Sequence, residues 1–498
     1  MKGATLRFGN DVSTVEEQNE RGSRLANGLR ALGLAEGDAV AVLMKNGMQY
    51  VDVIRACRIA GIYYVPINWH FMAPEISTIL QESKAKALIG HGELLDAVGS
   101  DLPTSIALLS VGPSIISGAR DYESWLVRQE LYLGPKVSPR AHMAFTSGTS
   151  GRPKGVLRQP VPLVQVEAQQ QKMAEVVRLT LGIEPGARVL IPAPLYHSAV
   201  SILMQQTLLI AESVVLMERF DAEAVLRAIE QYRITTVYLV PIMYVRLLKL
   251  PDQLRDKYDL SSLKFVASTG APCAPAVKQA MIQWFGPVIN ETYASSEAGM
   301  VTTIDSFQAT LKPGSAGLPV GDAIVRIYNA YGTPAAPREI GKIYVRQPTY
   351  PDFTYLNNAT GRAEIERDGL ITLGDVGYMD EEGYLFVCDR ESDMVISGGV
   401  NIYPAEIEHR MMAFPGVADC AVFGIPDDEF GERLHSIVEE LPGQPLDVTK
   451  LSEWLRDGLA SYKVPRTIEV GALPRDDNGK IAKRKLRDQH WQGQSRRI

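Results

Sequence analysis

The sequence predicts an α/β fold in which a large N-terminal domain precedes a small α+β C-terminal domain. Helical patterns and apolar runs of strand length alternate over roughly the first 300 residues, and short β-prone runs follow them. A charged stretch then separates roughly the last hundred residues from the rest. Because a chain of 498 residues exceeds the size of a single hydrophobic core, we expect two or more domains.

The first elements predict a sheet that is buried on both faces. A helix begins near Ser13, since Ser13 and Glu16 have the spacing of a capping box, and its apolar periodicity ends before Gly33. The apolar run at residues 38–44 has the length of a strand, and a second helical pattern passes through Ile54. This order of helix, strand and helix is typical of α/β proteins whose sheets are covered on both sides.

The later elements predict two smaller units. From residue 314 onward, β-prone runs separated by Gly and Pro predict a small β-barrel-like subdomain of antiparallel strands. Beyond it, we place the boundary between an N-terminal domain of residues 1–391 and a C-terminal domain of residues 392–498. The other predicted elements are strands at residues 188–191, 213–216, 235–240, 324–328 and 418–423, and helices at residues 222–232 and 404–412.

Composition and charge argue against several classes of function. The chain is 46% hydrophobic and 22% charged with a formal net charge of −7, so no global positive field would attract nucleic acid. The four cysteines include no CxxC pair and the seven histidines show no ligand-like spacing, which argues against a zinc site or a disulfide framework. No signal peptide or transmembrane segment is recognisable, and we expect a cytoplasmic protein.

The most informative segment is residues 146–155, which could form a loop that binds a polyphosphate. Three glycines let backbone N–H groups turn toward one concavity, four hydroxyl side chains add donors, and Lys154 adds a positive charge. The loop is not the GxxxxGK[ST] nucleotide-binding pattern, because neither Ser nor Thr follows Lys154. A flexible Ser/Gly surface loop is the alternative, and a lysine held in this setting disfavours it. The candidate phosphate ligands are Thr146, Ser147, Gly148, Thr149, Ser150, Gly151 and Lys154.

Six further motifs follow the loop in order, and together they identify a family resemblance. They are Ser268-Thr269-Gly270-Ala271-Pro272, Tyr293-Ala294-Ser295-Ser296-Glu297, Gly374-Asp375-Val376-Gly377-Tyr378, the segment at residues 389–408, Ser461-Tyr462-Lys463-Val464-Pro465 and the segment at residues 473–481. The set, which spans about 340 residues, resembles the adenylate-forming superfamily of acyl- and aryl-CoA synthetases, amino-acid-activating domains and firefly luciferase. The chain looks like the acyl-CoA synthetase or fatty-acid–CoA ligase type.

The resemblance implies an ATP-dependent acid–CoA ligase that uses ATP, Mg²⁺ and coenzyme A. It implies that the Tyr293 ring packs against adenine, that the Ser296 hydroxyl contacts phosphate and that Glu297 holds Mg²⁺. It further implies that Asp375 and Arg390 contact the ribose. The turn that would contact adenine and line the acyl pocket consists of Gly270, Ala271 and Pro272.

The resemblance also implies a catalytic lysine and a hinge about which the small C-terminal domain is mobile. Lys480 matches the catalytic lysine, and Ser392 occupies the hinge position, where relatives usually carry Asp or Lys. A hinge needs a residue that absorbs a backbone rotation, and Ser meets that requirement. Gly398 and Gly399 would let the backbone approach the thiol of the second substrate. His197 matches a position beside the acyl carbonyl.

The acid and the acceptor thiol are less well defined by the sequence. No Asp accompanies His197 to pair with an α-amine, which argues against amino-acid substrates. The segments expected to line the pocket, residues 198–205, 240–247 and 267–271, are mostly apolar and favour a hydrophobic acid. The expected partners are this small-molecule acid and CoA, and a homodimer is left open. The alternatives are an acyl-AMP ligase that loads a carrier protein and a non-catalytic nucleotide-binding scaffold.

Overall fold

A nine-stranded sheet forms the centre of the N-terminal part. The structure is a computed structural model that describes residues 3–147, 153–358, 360–441, 443–475 and 481–491. The inner strands of the sheet run parallel, and antiparallel strands close both edges. In spatial order the strands are Leu318–Pro319, Gly299–Ile304, Ile289–Ser295, Phe265–Ser268, Thr236–Tyr238, Arg188–Ile191, Ser213–Leu216, Thr5–Phe8 and Asp11–Ser13.

A second, five-stranded sheet lies beside it and is parallel throughout. All five residues of its strand Ala39–Leu43 are buried, as expected for a strand that is covered on both faces. The two sheets and their helices confirm the predicted α/β architecture. The strands, in spatial order, are Tyr63–Pro66, Ala39–Leu43, Ala87–His91, Ala107–Val111 and Arg120–Asp121.

Amphipathic helices connect these strands. The first helix, Val15–Ala31, has its capping box at Thr14 and Glu17, one residue later than the predicted pair Ser13 and Glu16. The other helices of this part are Met48–Ala60, Ala73–Ser83, Gly92–Val98, Tyr122–Leu126, Val166–Leu181, Ser198–Ile210, Ala222–Gln231, Pro241–Leu248, Asp252–Arg255, Pro275–Phe285, Ser306–Leu311 and Gly361–Glu364, with short 3₁₀ turns at Gly99–Asp101 and Leu163–Gln165.

Two small antiparallel sheets complete the N-terminal part. A three-stranded sheet consists of Phe353–Tyr355, Pro153–Arg158 and Ala144–Ser147. The predicted subdomain of short strands is present as a five-stranded antiparallel sheet. Its strands are Ile324–Tyr328, Gly341–Arg346, Glu366–Arg367, Leu370–Met379 and Leu385–Arg390.

The C-terminal part has a sheet and a hydrophobic core of its own. Its core groups residues from Val395 to Leu455, whereas the large clusters of the N-terminal part end at Leu385. The strands are Val395–Ser397, Val400–Ile402, Val417–Asp427, Gly431–Glu440 and Thr467–Val470, and the helices are Pro404–Met412, Val448–Gly458 and Lys483–His490, with a 3₁₀ turn at Ser461–Lys463.

Across the described ranges, none of the helices is both long enough and apolar enough to cross a membrane.

Candidate active site

The phosphate loop joins two strands of an antiparallel hairpin. The strands Ala144–Ser147 and Pro153–Arg158 pair in a register that places Thr146 opposite Lys154. We call this pair of strands the phosphate hairpin. Four candidate ligands in the connecting loop, Gly148, Thr149, Ser150 and Gly151, lie outside the described residues, and Ser147 is described only as the last residue of its strand.

A second hairpin presents the candidate metal ligand. Glu297 lies in the loop of residues 296–298, which links the strands Ile289–Ser295 and Gly299–Ile304 of the central sheet. The Ser295 hydroxyl accepts a hydrogen bond from the Ala298 N–H at 2.8 Å, which tightens this loop. Gly299 closes it with φ of +79°, a conformation that L side chains rarely adopt. We call residues 296–298 the Glu297 loop.

The two hairpins meet at the Glu297 carboxylate. The Thr146 hydroxyl lies 3.2 Å from Glu297 Oε1, although the two residues are 151 positions apart in the chain. The Tyr355 hydroxyl donates to the same oxygen at 3.3 Å. Within the part of the chain that the structure describes, Oε2 of Glu297 accepts no hydrogen bond. A carboxylate oxygen beside a hydroxyl is a ligand of the type that Mg²⁺ prefers, so these residues fit the metal that the sequence implied.

Lys154 lies over the ring of Tyr355. Its Nζ is 5.1 Å from the centroid of the Tyr355 ring, within the range of a cation–π interaction. Burial and the Glu297 carboxylate raise the pKa of Tyr355, so its hydroxyl stays protonated and donates. Tyr355 therefore contacts both the lysine and the carboxylate. The motif comparison missed Tyr355, because only strand pairing brings Phe353–Tyr355 beside the phosphate hairpin.

The candidate nucleoside ligands form a second cluster. The Tyr293 hydroxyl donates a 2.5 Å hydrogen bond to Asp375 Oδ2, and Arg390 Nε lies 3.5 Å from Asp375 Oδ1. Asp375 and Arg390 are paired across neighbouring strands, which fixes their spacing. Burial and the Asp375 carboxylate raise the pKa of Tyr293 far above its ordinary value. The register between the strands Ile289–Ser295 and Gly299–Ile304 shifts between Tyr293 and Ala294.

The candidate adenine turn follows the strand Phe265–Ser268. Gly270 has φ of +95° and is exposed, as is Pro272, while Ala271 is partly exposed. Since Ser268 pairs with Glu291 of the parallel neighbouring strand, the turn lies at the same edge of the sheet as Tyr293. Ligands of open α/β sheets bind at this carboxyl edge.

His197 lies directly before the helix Ser198–Ile210, with its ring 4.2 Å from that of Tyr196. The next residue contacts a histidine that the motif comparison did not single out, since His142 Nε2 lies 2.7 Å from Ser198 Oγ. Burial lowers the pKa of His142 to about 3, so the imidazole is neutral at physiological pH. This contact links the residues just before the phosphate hairpin with the helix that follows His197.

The hinge candidate Ser392 is exposed and contacts the C-terminal part through its backbone. Arg487 Nη1 donates to the Ser392 carbonyl at 2.9 Å, and the Ala405 N–H donates to Asp389 Oδ2 at 2.9 Å. Lys480 lies outside the described residues. Beyond it, Lys483 forms an ion pair with Glu408 at 2.7 Å.

The two glycines expected to approach the thiol of the second substrate form a two-residue turn. Gly398 and Gly399 have φ of +57° and +81°, and they connect the strands Val395–Ser397 and Val400–Ile402. Two positive φ angles explain why glycine occupies both positions. The Gly398 N–H donates to the Phe430 carbonyl at 2.9 Å. The structure thus places the pair at the exposed tip of a C-terminal hairpin.

The motif comparison also missed Arg158, which ends the strand that carries Lys154. Its guanidinium donates to the carbonyl oxygens of Ser296 at 2.6 Å and Glu297 at 3.0 Å. A signal for it was present in the sequence, because residues 154, 156 and 158 of one strand point to the same face. The partners of Arg158 could not be read from that pattern.

Two family models match the chain. The AMP-binding enzyme model matches residues 4–350, and the AMP-binding enzyme C-terminal domain model matches residues 406–480. Among curated proteins, the chain is 36% identical to a feruloyl-CoA synthase of an Amycolatopsis species, over 97% of this chain and 95% of that protein. It is 31% identical to the fatty acid–[acyl-carrier-protein] ligase ScoC of Streptomyces coeruleorubidus, over 97% and 93% of the two chains.

Solved structures agree over almost the whole chain. The amide bond synthetase McbA from Marinactinospora thermotolerans superposes with a TM-score of 0.87 at 28% identity, covering 98% of this chain and 97% of that one. The o-succinylbenzoate CoA synthetase MenE from Bacillus subtilis, in complex with the acyl-adenylate intermediate OSB-AMP, superposes with a TM-score of 0.81 at 26% identity. That match covers 98% of this chain and 95% of the other.

Proposed function

This chain belongs to the AMP-binding enzyme family, and we propose that it is an ATP-dependent acid–CoA ligase. In the first half-reaction, a carboxylate oxygen of the acid attacks the α-phosphorus of ATP, and pyrophosphate leaves. The product of this step is an acyl-AMP. In the second half-reaction, the thiol of CoA attacks the acyl carbon, and AMP leaves as the thioester forms.

The observation that carries the proposal is the meeting of Glu297 with the phosphate hairpin. The 3.2 Å contact between Thr146 and Glu297 brings a metal-type carboxylate to the base of a glycine-rich loop. Both reactants of the first step are anionic, so the reaction needs positive charge at the point where they meet. Lys154 lies beside this point, and we assign a second cation to Lys480 by family likeness. Mg²⁺ bound at Glu297 would neutralise charge on the phosphate oxygens.

The second cluster has the groups that a nucleoside requires. We assign the ribose hydroxyls to Asp375 and Arg390, and the adenine to Tyr293 and the turn at Gly270. Because Asp375 is itself held by the Tyr293 hydroxyl, its carboxylate is oriented before the nucleotide arrives. We assign Ser296 to a phosphate contact.

The second half-reaction requires that the site be rebuilt around a thiol. We propose that the boundary between the domains lies at residues 391 and 392 and that the C-terminal domain turns about Ser392. The separate hydrophobic cores on the two sides of this position support the division. The turn would remove Lys480 and bring Gly398 and Gly399 toward the thiol, with His197 beside the acyl carbonyl.

A hydrophobic acid is the substrate class that the sequence favours. The helix Ser198–Ile210 contributes apolar residues to the segments expected to line the pocket. Fatty, aryl and polycyclic acids all fit this class, and the similarity to a feruloyl-CoA synthase favours aryl acids. Ser198, which contacts His142, would add a hydrogen-bonding group to this wall.

A panel of acids tests the proposal. The full chain is incubated with ATP, Mg²⁺ and aliphatic, arylacetic or cinnamic acids, and pyrophosphate release is measured. CoA is then added, and the thioester is identified by mass spectrometry. Acid-dependent pyrophosphate release followed by thioester formation supports the proposal. If no acid of a broad panel causes pyrophosphate release, the nucleotide-binding scaffold is favoured instead.

Loading of a carrier protein is the second candidate, and the 31% identity to ScoC is the observation that favours it. The same acyl-AMP would then react with the phosphopantetheine thiol of a carrier. Pyrophosphate release without acyl-CoA formation, together with acylation of a purified holo-carrier protein, would establish this alternative.

A further inference from the structure

Arg158 connects the phosphate hairpin to the Glu297 loop. Its Nη2 donates to the carbonyl oxygens of Ser296 and Glu297, at 2.6 Å and 3.0 Å. Its Nη1 donates to the Pro351 carbonyl at 2.8 Å. One side chain therefore fixes two segments of backbone that are otherwise distant in sequence.

The shape of the guanidinium suits this arrangement. The planar group directs its N–H donors along fixed directions. Two of its nitrogens, Nη1 and Nη2, donate to the three carbonyl oxygens. A lysine ammonium at the same place would carry three rotatable N–H donors on one nitrogen, without the fixed directions of the guanidinium. Burial lowers the pKa of Arg158 to about 10, and the group is still cationic at neutral pH.

An aromatic ring keeps the guanidinium in place. The guanidinium carbon of Arg158 lies 4.9 Å from the centroid of the Tyr350 ring. The ring itself packs against Gly299, where an added Cβ would lie only 2.5 Å from a ring carbon. Tyr350, Arg158 and the Glu297 loop thus form one packed unit on the strand that carries Lys154.

We propose that Arg158 is a positioning residue that holds the Glu297 loop against the phosphate hairpin and so sets the carboxylate for Mg²⁺–ATP. This inference rests on the proposed function. Arg158 bonds the backbone of Glu297, whereas Thr146 and Tyr355 bond its carboxylate, so the three together fix both ends of the residue. Outer partners of this kind usually change metal affinity or activity by roughly 10- to 100-fold when they are removed.

Binding of a non-hydrolysable ATP analogue, measured by calorimetry with Mg²⁺ and with EDTA, tests the inference without any acid. The variants are Arg158→Lys and the control Arg362→Lys. Arg362 also stacks on an aromatic ring, that of Phe353, but its guanidinium pairs with carboxylates away from the Glu297 loop. We expect Arg158→Lys to weaken analogue binding about tenfold or more with Mg²⁺ and to leave binding in EDTA unchanged. The control should match the wild type in both buffers.

The outcomes separate the inference from the proposed function. If the wild type does not bind the analogue, the proposed function fails. A thermal unfolding transition establishes that Arg158→Lys is folded. If the wild type binds the analogue in a Mg²⁺-dependent way and the folded variant keeps that dependence, the role of Arg158 is overturned. Equal weakening in Mg²⁺ and in EDTA would indicate a general structural role and overturn it too.

Two further measurements keep the test decisive. Should Arg158→Lys fail to fold, Tyr350→Leu removes the stacking ring and should shift the Mg²⁺ dependence in the same direction, while a wild-type dependence would contradict the inference. In Arg158→Ala, methylguanidinium should restore Mg²⁺-dependent binding and methylammonium should not, because only the former has the planar fork. Equal rescue by both cations would count against the positioning role.

Discussion

The Tyr293 hydroxyl donates a hydrogen bond to Asp375 across 82 positions of sequence, and this bond joins the two groups assigned to the nucleoside. Tyr293→Phe should therefore leave a buried carboxylate without one of its donors. Because hydrogen bonds to charged groups contribute about 1.5–3 kcal/mol, we expect kcat/KM for ATP to fall about tenfold or more. Pyrophosphate release at varied ATP concentration measures this.

Tyr328→Phe is the matched control for that prediction. Its hydroxyl also donates to an aspartate, Asp368, at 2.6 Å, but neither residue is among those assigned to the nucleotide. It should leave kcat/KM for ATP within about twofold of the wild type. Similar losses in the two variants would indicate a general effect on folding rather than a role at the nucleotide.

Glu297→Gln should raise the Mg²⁺ requirement of the first half-reaction. The substitution keeps the size of the side chain and an acceptor for Thr146, but it removes the negative charge that attracts the cation. We expect the Mg²⁺ concentration for half-maximal pyrophosphate release to rise about tenfold or more. Glu364→Gln is the control, because Glu364 is exposed and also accepts from a threonine, Thr360. An unchanged Mg²⁺ requirement in Glu297→Gln would remove Glu297 from the metal site.

Lys480→Ala should separate the two half-reactions. Removal of one donor to a developing charge costs roughly 10²-fold, so we expect pyrophosphate release to fall by at least that factor. Thioester formation from supplied acyl-AMP should remain largely intact. Lys485→Ala, an exposed lysine on the following helix, should change neither rate. Equal loss of both half-reactions would contradict the proposal that Lys480 acts only before the C-terminal domain turns.

Ser392→Pro should have the opposite effect. The proline ring locks φ near −65° and also restricts the residue before it, so the backbone can no longer absorb the rotation. We expect acid-dependent pyrophosphate release to persist and thioester formation to fall at least about tenfold. Ser392→Ala, which leaves the backbone free to rotate, should support both steps. A Ser392→Pro enzyme that makes thioester at the wild-type rate would place the hinge elsewhere.

The buried His142 should make the fold sensitive to acid. Its pKa of about 3 lies below the ordinary value of 6.5, so between these pH values the unfolded chain binds a proton that the folded chain does not. Stability is then lost as the pH falls, by at most about 1.4 kcal/mol per pH unit from this residue. In denaturant unfolding from about pH 7 to pH 4.5, His142→Gln should approach the wild type in stability. A constant difference across that range would show that His142 titrates alike in both states.

Local patterns predicted many elements correctly. The strands Arg188–Ile191, Ser213–Leu216 and Ile324–Tyr328 were predicted to the residue, because each is a short β-prone run. The predicted capping box was one residue early. Ser13 pairs with Leu6 in the edge of the central sheet, which leaves Thr14 to cap the helix. The pairing of Ser13 with the strand Thr5–Phe8 therefore decides which residue caps the helix.

The site was predicted only in part, because some of its contacts join segments that are distant in sequence. Motif likeness found Thr146, Lys154 and Glu297, which the structure brings together. It did not find Tyr355 or Arg158, because their roles depend on contacts formed by strand pairing and backbone carbonyls. The strand Val417–Asp427 likewise extends beyond its predicted end, since pairing with Gly431–Glu440 carries it through Gly424 and Pro426.

The strand Phe353–Tyr355 also bears on how the protein folds during synthesis. It covers the outer edge of the phosphate hairpin, with Phe353 opposite Arg158. Until residue 355 has left the ribosome, the strand Pro153–Arg158 presents an unpaired edge of the kind that recruits other chains. The phosphate hairpin therefore gains its covering strand only after residue 355 has been made, and chains that end before this strand should aggregate through that edge.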